Sequence, residues 1–457
     1  MTRSRVLAPA AIFVSGAGLF FLYFFGLTRT GLIGPDEPRY AAIGRAMAAT
    51  GDWITPRLWG APWFEKPALL YWTTAAGFKA GLGTELAPRL PVALASVAFL
   101  LYFFAVLRRE FGERAAWYAA TILATSAGWL AYSHVAITDL PMSAAFAAAM
   151  LGLLAGAGSV RASLGSMPCS RAGALLGLAI LAKGLVPLVL FIPALWFLRH
   201  RIRDLALFFG AAALIAAPWY LLVTLRNGRP FLEEFFWKHH FGRFLNSALQ
   251  HGQPVWFYLP VLLAGLFPWT PLVALLGNAP VYRDRRAQFL LAWFAWGFIF
   301  FSASRNKLPG YLLPLLPPVA ALMGIALARS THARTVLAAC GALLCLVPAL
   351  AAMLPQALAA GVSHAAFHLE WPWIAAGVAI AATCALFDHF ARRELAVALI
   401  ATLMAIAVAG VVWRVYPVLD RELSGRTAGA ITCLPKTNRS RRYSIDYYTG
   451  KALPDCQ

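Results

Sequence analysis

The sequence predicts an all-α polytopic membrane protein, and three observations carry that prediction. Hydrophobic residues make up 60% of the 457-residue chain and charged residues only 13%, too little polar surface to clothe a soluble globule of that size. The apolar residues gather into runs near the ~20 residues that a membrane-spanning helix needs. Arginine clusters punctuate the runs at every second connection, as the positive-inside rule expects of cytoplasmic loops. A net charge of +20 would suggest nucleic acid in a soluble protein. Here the basic residues act as topology signals, and no nucleic-acid partner is expected.

The first span is expected from Leu7 to Leu27, uncleaved and with a cytoplasmic N-terminus, because no small-residue cleavage site follows it. Further single spans are expected over Pro88 to Leu107, Ala115 to Ser133, Leu140 to Gly156, Leu205 to Leu225, Val255 to Leu276, Ala287 to Ala303, Tyr311 to Ala328, Thr335 to Leu354, Trp373 to Phe390 and Leu395 to Trp413. Ala172 to Leu198 is 27 residues, ~40 Å as helix, too long for one crossing of ~30 Å and too short for two. Basic clusters at both its ends demand an even number of crossings. Two short, broken helices meeting near Lys183-Gly184 are therefore expected, with Pro187 and Pro193 in the irregular half; such a break is tolerated where it is buried in protein or lines a cavity. The total is about 13 spans. Ala68 to Leu82 is apolar but short, and a crossing there would flip every later basic cluster outward. It is read as an amphipathic helix along the outer interface.

This topology divides the chain into a transmembrane domain over residues 1–413 and a short outward tail over residues 414–457. Residues 28–89 form a substantial first outer loop and residues 226–254 a second. There is no internal repeat or low-complexity linker. Cys433 and Cys456 both fall in the tail, where an oxidising compartment would allow a disulfide. No Cys or His pair has zinc-site spacing. No phosphate-binding glycine loop is present, and no cytoplasmic connection exceeds about 15 residues, so a nucleotide-binding domain has no place.

Charge then marks the site. Gly34-Pro35-Asp36-Glu37-Pro38-Arg39-Tyr40 and Pro62-Trp63-Phe64-Glu65-Lys66-Pro67 lie close together in an oily chain, and an ionisable group near hydrocarbon costs on the order of 3 kcal/mol. Asp36 is the first candidate for catalysis; its bland alternative is a helix N-cap, since Pro38 follows at a normal helix start. Asp139, at the outer start of a span, is either a second functional carboxylate or a cap. Glu65 and Lys66 stand before the interfacial helix, where the alternative is a headgroup anchor. Lys183 is the lone lysine in its apolar stretch, at the inferred break. Lys307 could instead mark a loop end, and His239 and His240 more often meet headgroups or backbone than a metal.

Together these motifs resemble a known family. Asp36-Glu37-Pro38-Arg39-Tyr40, Phe64-Glu65-Lys66-Pro67 with Leu69-Leu70-Tyr71-Trp72, Thr138-Asp139, Lys183-Gly184, His240 with Arg243-Phe244, and Lys307-Leu308-Pro309-Gly310-Tyr311 occur in the order found in polyprenyl-phosphate-dependent glycosyltransferases typified by the bacterial aminoarabinose lipid A transferase. That group is related to the protein O-mannosyltransferases, and the resemblance implies a C-type glycosyltransferase fold with outer-face interfacial helices and a periplasmic tail. It implies transfer of a sugar, 4-amino-4-deoxy-L-arabinose or another amino sugar or hexose, from undecaprenyl phosphate to lipid A or another envelope glycolipid or protein. The reaction would take place at the periplasmic face of the bacterial inner membrane. Asp36, Asp139 and Glu65 are then the catalytic candidates. Arg39, Tyr40, Lys66, Lys183, His240, Arg243, Lys307 and Tyr311 are the candidates for the donor phosphate and substrate. Physical chemistry agrees: a lipid-linked donor needs cations for its phosphate and carboxylates near the anomeric carbon. No cofactor is required; were a divalent metal to bind, Glu65 would be its ligand.

The chain departs from the family pattern in two places. Trp63 stands where a tyrosine is usual. The tail is shorter than the family's soluble domain, although residues 442–450 resemble the strand and turn that begin it. A secondary transporter and a non-catalytic lipid-sugar transporter are the competing classes. The transporter reading is disfavoured because its fold shows matched interruptions in two halves, whereas here the charges crowd one side.

Overall fold

The computed structural model describes residues 8–158, 169–242, 252–277, 279–428, 431–434 and 436–456, and these are mostly helical. Seven helices among the described residues are long and apolar enough to cross a membrane: Gly83–Phe111, Ile202–Asn227, Arg285–Ala303, Pro309–Arg329, Arg334–Ala360, Trp371–His389 and Arg393–Leu423. The chain is a polytopic, mostly helical membrane protein. It divides into two compact units, one of Met1–Pro38 with His332–Gln457 and the other of Arg39–Thr331.

Within the larger unit, the helix Leu316–Arg329 forms the centre, with every residue from Leu316 to Leu327 buried. Helices in lipid gain no hydrophobic drive from packing on one another, so close contact depends on small residues. Gly324 supplies one such point: a Cβ there would lie 2.5 Å from the backbone nitrogen of Ala119. Gly177 supplies another, where a Cβ would lie 2.7 Å from the carbonyl oxygen of Ala212. It brings the helix Cys169–Lys183 alongside Ile202–Asn227.

The long stretch from Ala172 to Leu198 breaks where the sequence predicts. Cys169–Lys183 ends at Gly184, whose φ of 87° ends the helical path, and two short pieces follow, Val186–Leu190 and Ile192–Leu198. Phe197 in the last piece packs edge-on against Phe289 at 5.4 Å, with the Arg285 guanidinium over its ring. Lys183 instead meets Asp139 and Tyr311. Tyr311 and Arg329 bound one continuous helical run, roughly 30 Å at helical rise, so the reversal at Gly184 separates two ends of the unit. At the arginine end, Arg286 bonds the Glu110 carbonyl at 2.5 Å and the Asp284 carboxylate at 2.8 Å. Three of the basic clusters assigned to one side are thereby gathered together.

Three expected spans are not single rods, and Leu140 to Gly156 forms Asp139–Gly152 and Leu154–Gly158. Ala115 to Ser133 forms Glu113–Thr125 and Ala127–Ser133, because Ser126 is extended and its hydroxyl donates to the Ile122 carbonyl at 2.6 Å. Val255 to Leu276 is corrected to a pair, Val255–Gly265 and Thr270–Gly277, bent by 110°. Pro268 and Pro271 lack the N–H groups that a continuous helix would use there. These last two breaks brace each other: the Ala127 N–H donates to the Phe267 carbonyl at 2.9 Å, and Trp269 Nε1 donates to Thr125 Oγ1 at 2.9 Å.

The segment Ala68 to Leu82 contains an 11-residue helix, Leu69–Lys79, ~16 Å long and too short to cross. It is half buried, with Tyr71 wholly enclosed. Before it, a two-residue hairpin pairs Arg57–Leu58 with Ala61–Pro62, turned by Trp59 and Gly60 at positive φ. Sequence reading did not anticipate that hairpin.

In the smaller unit, the likeness of residues 442–450 to a strand is overturned: they lie in a helix, Arg439–Thr449. Its ends explain why. The Asn438 side chain caps the start by accepting from the Arg441 N–H at 2.9 Å, and Gly450 closes the end in the left-handed region. Ile445 packs on Leu434 and Leu453, and a Cys433–Cys456 disulfide ties the segment together.

Candidate active site

Asp36 is half-buried and sits immediately before the helix Glu37–Thr50, in the turn that Gly34 opens with φ of 78°. Glu37, almost wholly buried, accepts from the Ile33 N–H at 3.1 Å and closes that turn. Glu37 thus holds the loop that carries Asp36.

In the larger unit, the sequence-predicted charges fall into two sets. In the first, Glu65 is shared by two cations: its Oε2 accepts from Arg39 at 3.1 Å and its Oε1 faces the Lys66 ammonium at 3.4 Å, all three side chains nearly enclosed. Burying charge is tolerable only with such partners. The Arg39 guanidinium also lies 5.3 Å above the Trp63 ring and 5.9 Å above the Tyr40 ring. Tyr40 packs edge-on against Tyr71 at 5.8 Å. The hairpin places this set, for the Trp63 N–H bonds back to the Pro56 carbonyl at 2.8 Å.

In the second set, Lys183 Nζ lies 2.5 Å from Asp139 Oδ1 and 4.8 Å from the centre of the Tyr311 ring. Asp139 begins the helix Asp139–Gly152, and Lys183 ends Cys169–Lys183. Gly310 makes room for the pair: a Cβ there would lie 2.5 Å from Asp139 Oδ1 and 2.9 Å from the Tyr132 hydroxyl. Gly310→Ala is accordingly expected to push Asp139 off Lys183 and cut turnover by about 100-fold, the scale of a misplaced catalytic group. Turnover within a few fold of the parent would contradict this role.

Lys307 does not join either set. Its Nζ donates to the carbonyls of Ser304 and, at 3.1 Å, Gln253, and burial pushes its pKa below the ordinary lysine value. The Tyr258 hydroxyl fastens the same loop, bonding both the N–H and the carbonyl of Leu308 at 3.2 Å. Arg243 and the side chain of His240 lie outside the described residues.

The two sets are bridged by aromatic rings. Phe64, beside Glu65, packs on Phe231 at 5.3 Å; Phe231 neighbours Tyr220 at 6.5 Å; and the Tyr220 hydroxyl bonds the Ile180 carbonyl, one turn before Lys183, at 3.3 Å. A strap over residues 52–55 supports the first set from outside it. Arg226 pairs with Asp52 at 2.8 Å, Asn227 bonds Thr55 at 2.9 Å, and Trp219 bonds the Ile54 carbonyl at 3.1 Å. Burial opposes the Asp52 charge, yet the N–H groups of Thr55 and Ile54 with Arg226 and Arg57 outweigh it and lower its pKa.

Both Glu65 oxygens face cations, and among the described residues no group of three His, Cys, Asp or Glu could hold a metal ion. Sequence reading missed Gly310 as a site residue and missed the strap. It flagged Trp63 only as a departure, yet Trp63 Nε1 is a buried donor without a hydrogen-bond partner.

Comparison with known proteins places this geometry. Residues 12–227 match the family model described as dolichyl-phosphate-mannose-protein mannosyltransferase. An undecaprenyl phosphate-alpha-4-amino-4-deoxy-L-arabinose arabinosyl transferase of Pseudomonas aeruginosa PAO1 is 36% identical over 328 residues, covering 68% of this chain and 58% of the relative. One from Proteus mirabilis is 31% identical over 337 residues, covering 71% and 60%. The chain thus spans about three fifths of the length of the curated relatives it matches. The crystal structure of ArnT from Cupriavidus metallidurans bound to undecaprenyl phosphate superposes with a TM-score of 0.77 at 26% identity, covering 98% of this chain and 86% of that one. An Archaeoglobus fulgidus oligosaccharyltransferase shares the fold at a TM-score of 0.52 and 15% identity, covering 87% of this chain and 56% of that one.

In fold and sequence the chain is similar to one class, the integral-membrane glycosyltransferases. The likeness is to the polyprenyl-phosphate-dependent transferases, among them the aminoarabinose transferases.

Proposed function

We propose that this protein moves a sugar from undecaprenyl phosphate to an acceptor at the periplasmic face of the bacterial inner membrane. The sugar is 4-amino-4-deoxy-L-arabinose and the acceptor is lipid A. The observation that carries the reading is the buried Arg39–Glu65–Lys66 trio, which sets a guanidinium and an ammonium side by side on one carboxylate in a membrane protein. An arginine and a lysine set side by side suit an anionic phosphate, the first by bidentate contact and the second as a point charge. The Trp63 Nε1–H beside it is a further donor for a phosphate or sugar oxygen.

Chemistry follows from the residue types. Arg39 and Lys66 bind the carrier phosphate and stabilise it as it leaves the anomeric carbon. Lys183, steadied by Asp139, supplies a cation, and Tyr311 presents a neutral hydroxyl beside it. His240 and Arg243 complete the phosphate contacts in this reading, and Lys307 and Tyr258 fix the loop before Tyr311. A lipid A phosphate is already an anionic nucleophile, so Asp36 orients it or the sugar; with a hydroxyl acceptor, Asp36 is the general base.

The topology belongs to the same reading. Thirteen crossings place Asp36, Asp139 and Lys307 outside, residues 1–413 form the transferase domain, and residues 414–457 form a periplasmic segment. A disulfide at Cys433–Cys456 suits an oxidising compartment. The family match to a protein mannosyltransferase supports a second reading, with a protein hydroxyl as acceptor. Mass spectrometry of lipid A and envelope proteins from cells with and without the chain decides between them. Loss of an aminoarabinose mass from lipid A is expected; a missing hexose on protein would shift the assignment to the second reading.

A further inference from the structure

Within the smaller unit, the C-terminal segment is fastened to the backbone that leads into the Asp36 turn. Arg426 donates to the carbonyls of Thr28 at 3.1 Å and Arg29 at 3.3 Å. Asp420 accepts from the Gly31 N–H at 2.7 Å while paired with Arg426 at 2.5 Å. The Tyr448 hydroxyl accepts from the Leu32 N–H at 3.0 Å, and the Ser444 hydroxyl donates to the Leu32 carbonyl at 2.6 Å. Ser444 in turn accepts from the Gly425 N–H at 2.7 Å, and Ser424 bonds Asp420 at 2.8 Å. The Arg29 guanidinium stacks 4.0 Å over Trp413. Gly31 is required at the crossing, since a Cβ there would lie 2.6 Å from Ser424 Oγ and 2.8 Å from the Tyr448 hydroxyl.

Polar side chains thus take up the backbone from residue 28 to residue 32, and Glu37 takes up Ile33. The clamp stops three residues before Asp36. Fixing a loop residue costs conformational entropy, and a catalytic group must be held to within about 0.5 Å of its productive place. Nothing in a lipid-linked substrate explains five such contacts remote in sequence. We infer that Asp420, Ser444 and Tyr448 are positioning residues for Asp36, and that the disulfide-tied C-terminal segment is the brace on which they are mounted. This inference rests on the catalytic reading of Asp36.

The test uses the full-length purified protein in lipid nanodiscs, with Tyr448→Phe and Ser444→Ala as single changes. Each is expected to lower kcat about tenfold, the scale of one lost hydrogen bond, with undecaprenyl phosphate affinity within about twofold of the parent. Amide hydrogen exchange at Gly31 and Leu32 should accelerate, while that of the helix Arg393–Arg414 should not. Because the variants act through Asp36, neither should reduce the residual turnover of Asp36→Asn further. Unchanged kcat in the clamp variants, with Asp36→Asn inactive, overturns the positioning role alone. Full activity of Asp36→Asn overturns the catalytic reading and the inference together. Should Ser444→Ala fail to fold, Tyr448→Phe removes only a hydroxyl and the exchange measurement decides: unaltered protection at Leu32 refutes the clamp.

Discussion

Asp36→Asn is expected to lower turnover by about 100-fold or more, the usual scale for a lost general base or electrostatic stabiliser, and to leave carrier binding nearly intact. Asparagine keeps the size and polarity of the side chain and can still cap the helix Glu37–Thr50. Loss of activity therefore reports the missing charge rather than a frayed helix. Initial rates with a lipid-linked sugar, alongside equilibrium binding of undecaprenyl phosphate, make the comparison. Near-normal turnover would show that Asp36 is a cap.

Lys183→Ala should act differently, because its partner is known. Removing the ammonium leaves Asp139, whose side chain is only 16% exposed, facing a poorly solvated space. Breaking a buried pair from one side costs about 3–5 kcal/mol when fully enclosed, and partial exposure reduces this to roughly half. Carrier affinity should also fall by about 10- to 100-fold, the worth of one charged hydrogen bond. The double variant Lys183→Ala, Asp139→Ala should regain most of the thermal stability and none of the affinity. Recovery of affinity in the double variant would show that Lys183 serves only to neutralise Asp139.

The sequence made the membrane class legible because charge is expensive in lipid and its placement is therefore informative. It made the break at Lys183-Gly184 legible for a geometric reason, since a largely apolar stretch of 27 residues between two basic clusters fits neither one crossing nor two. Periodicity could not show the bend between Val255–Gly265 and Thr270–Gly277 or the break at Ser126. Hydropathy is indifferent to direction there, and the interruptions are stabilised by contacts between segments more than a hundred residues apart. The tail was misread because alternation in a short polar stretch mimics a strand, while its caps, Asn438 and Gly450, carry the helical signal.

At the site, residue types were legible and pairings were not. Arg39, Lys66 and Lys183 were candidates for the donor phosphate on residue type alone. Two of them share Glu65, the third answers Asp139, and Lys307 is occupied by backbone carbonyls. A cation's partner depends on long-range packing, which a single sequence does not encode locally. Gly310 and Tyr448 were invisible for the same reason: their roles depend on what approaches them from more than 150 residues away.

The central claim is that a lipid-linked sugar, and no nucleotide sugar, is the donor. Purified protein in nanodiscs, given either undecaprenyl phosphate-linked 4-amino-4-deoxy-L-arabinose or a nucleotide-linked sugar together with lipid A, tests it in one assay read by mass spectrometry. The account predicts modified lipid A and free undecaprenyl phosphate from the first donor and no product from the second. Direct transfer from the nucleotide sugar without any lipid intermediate would contradict it.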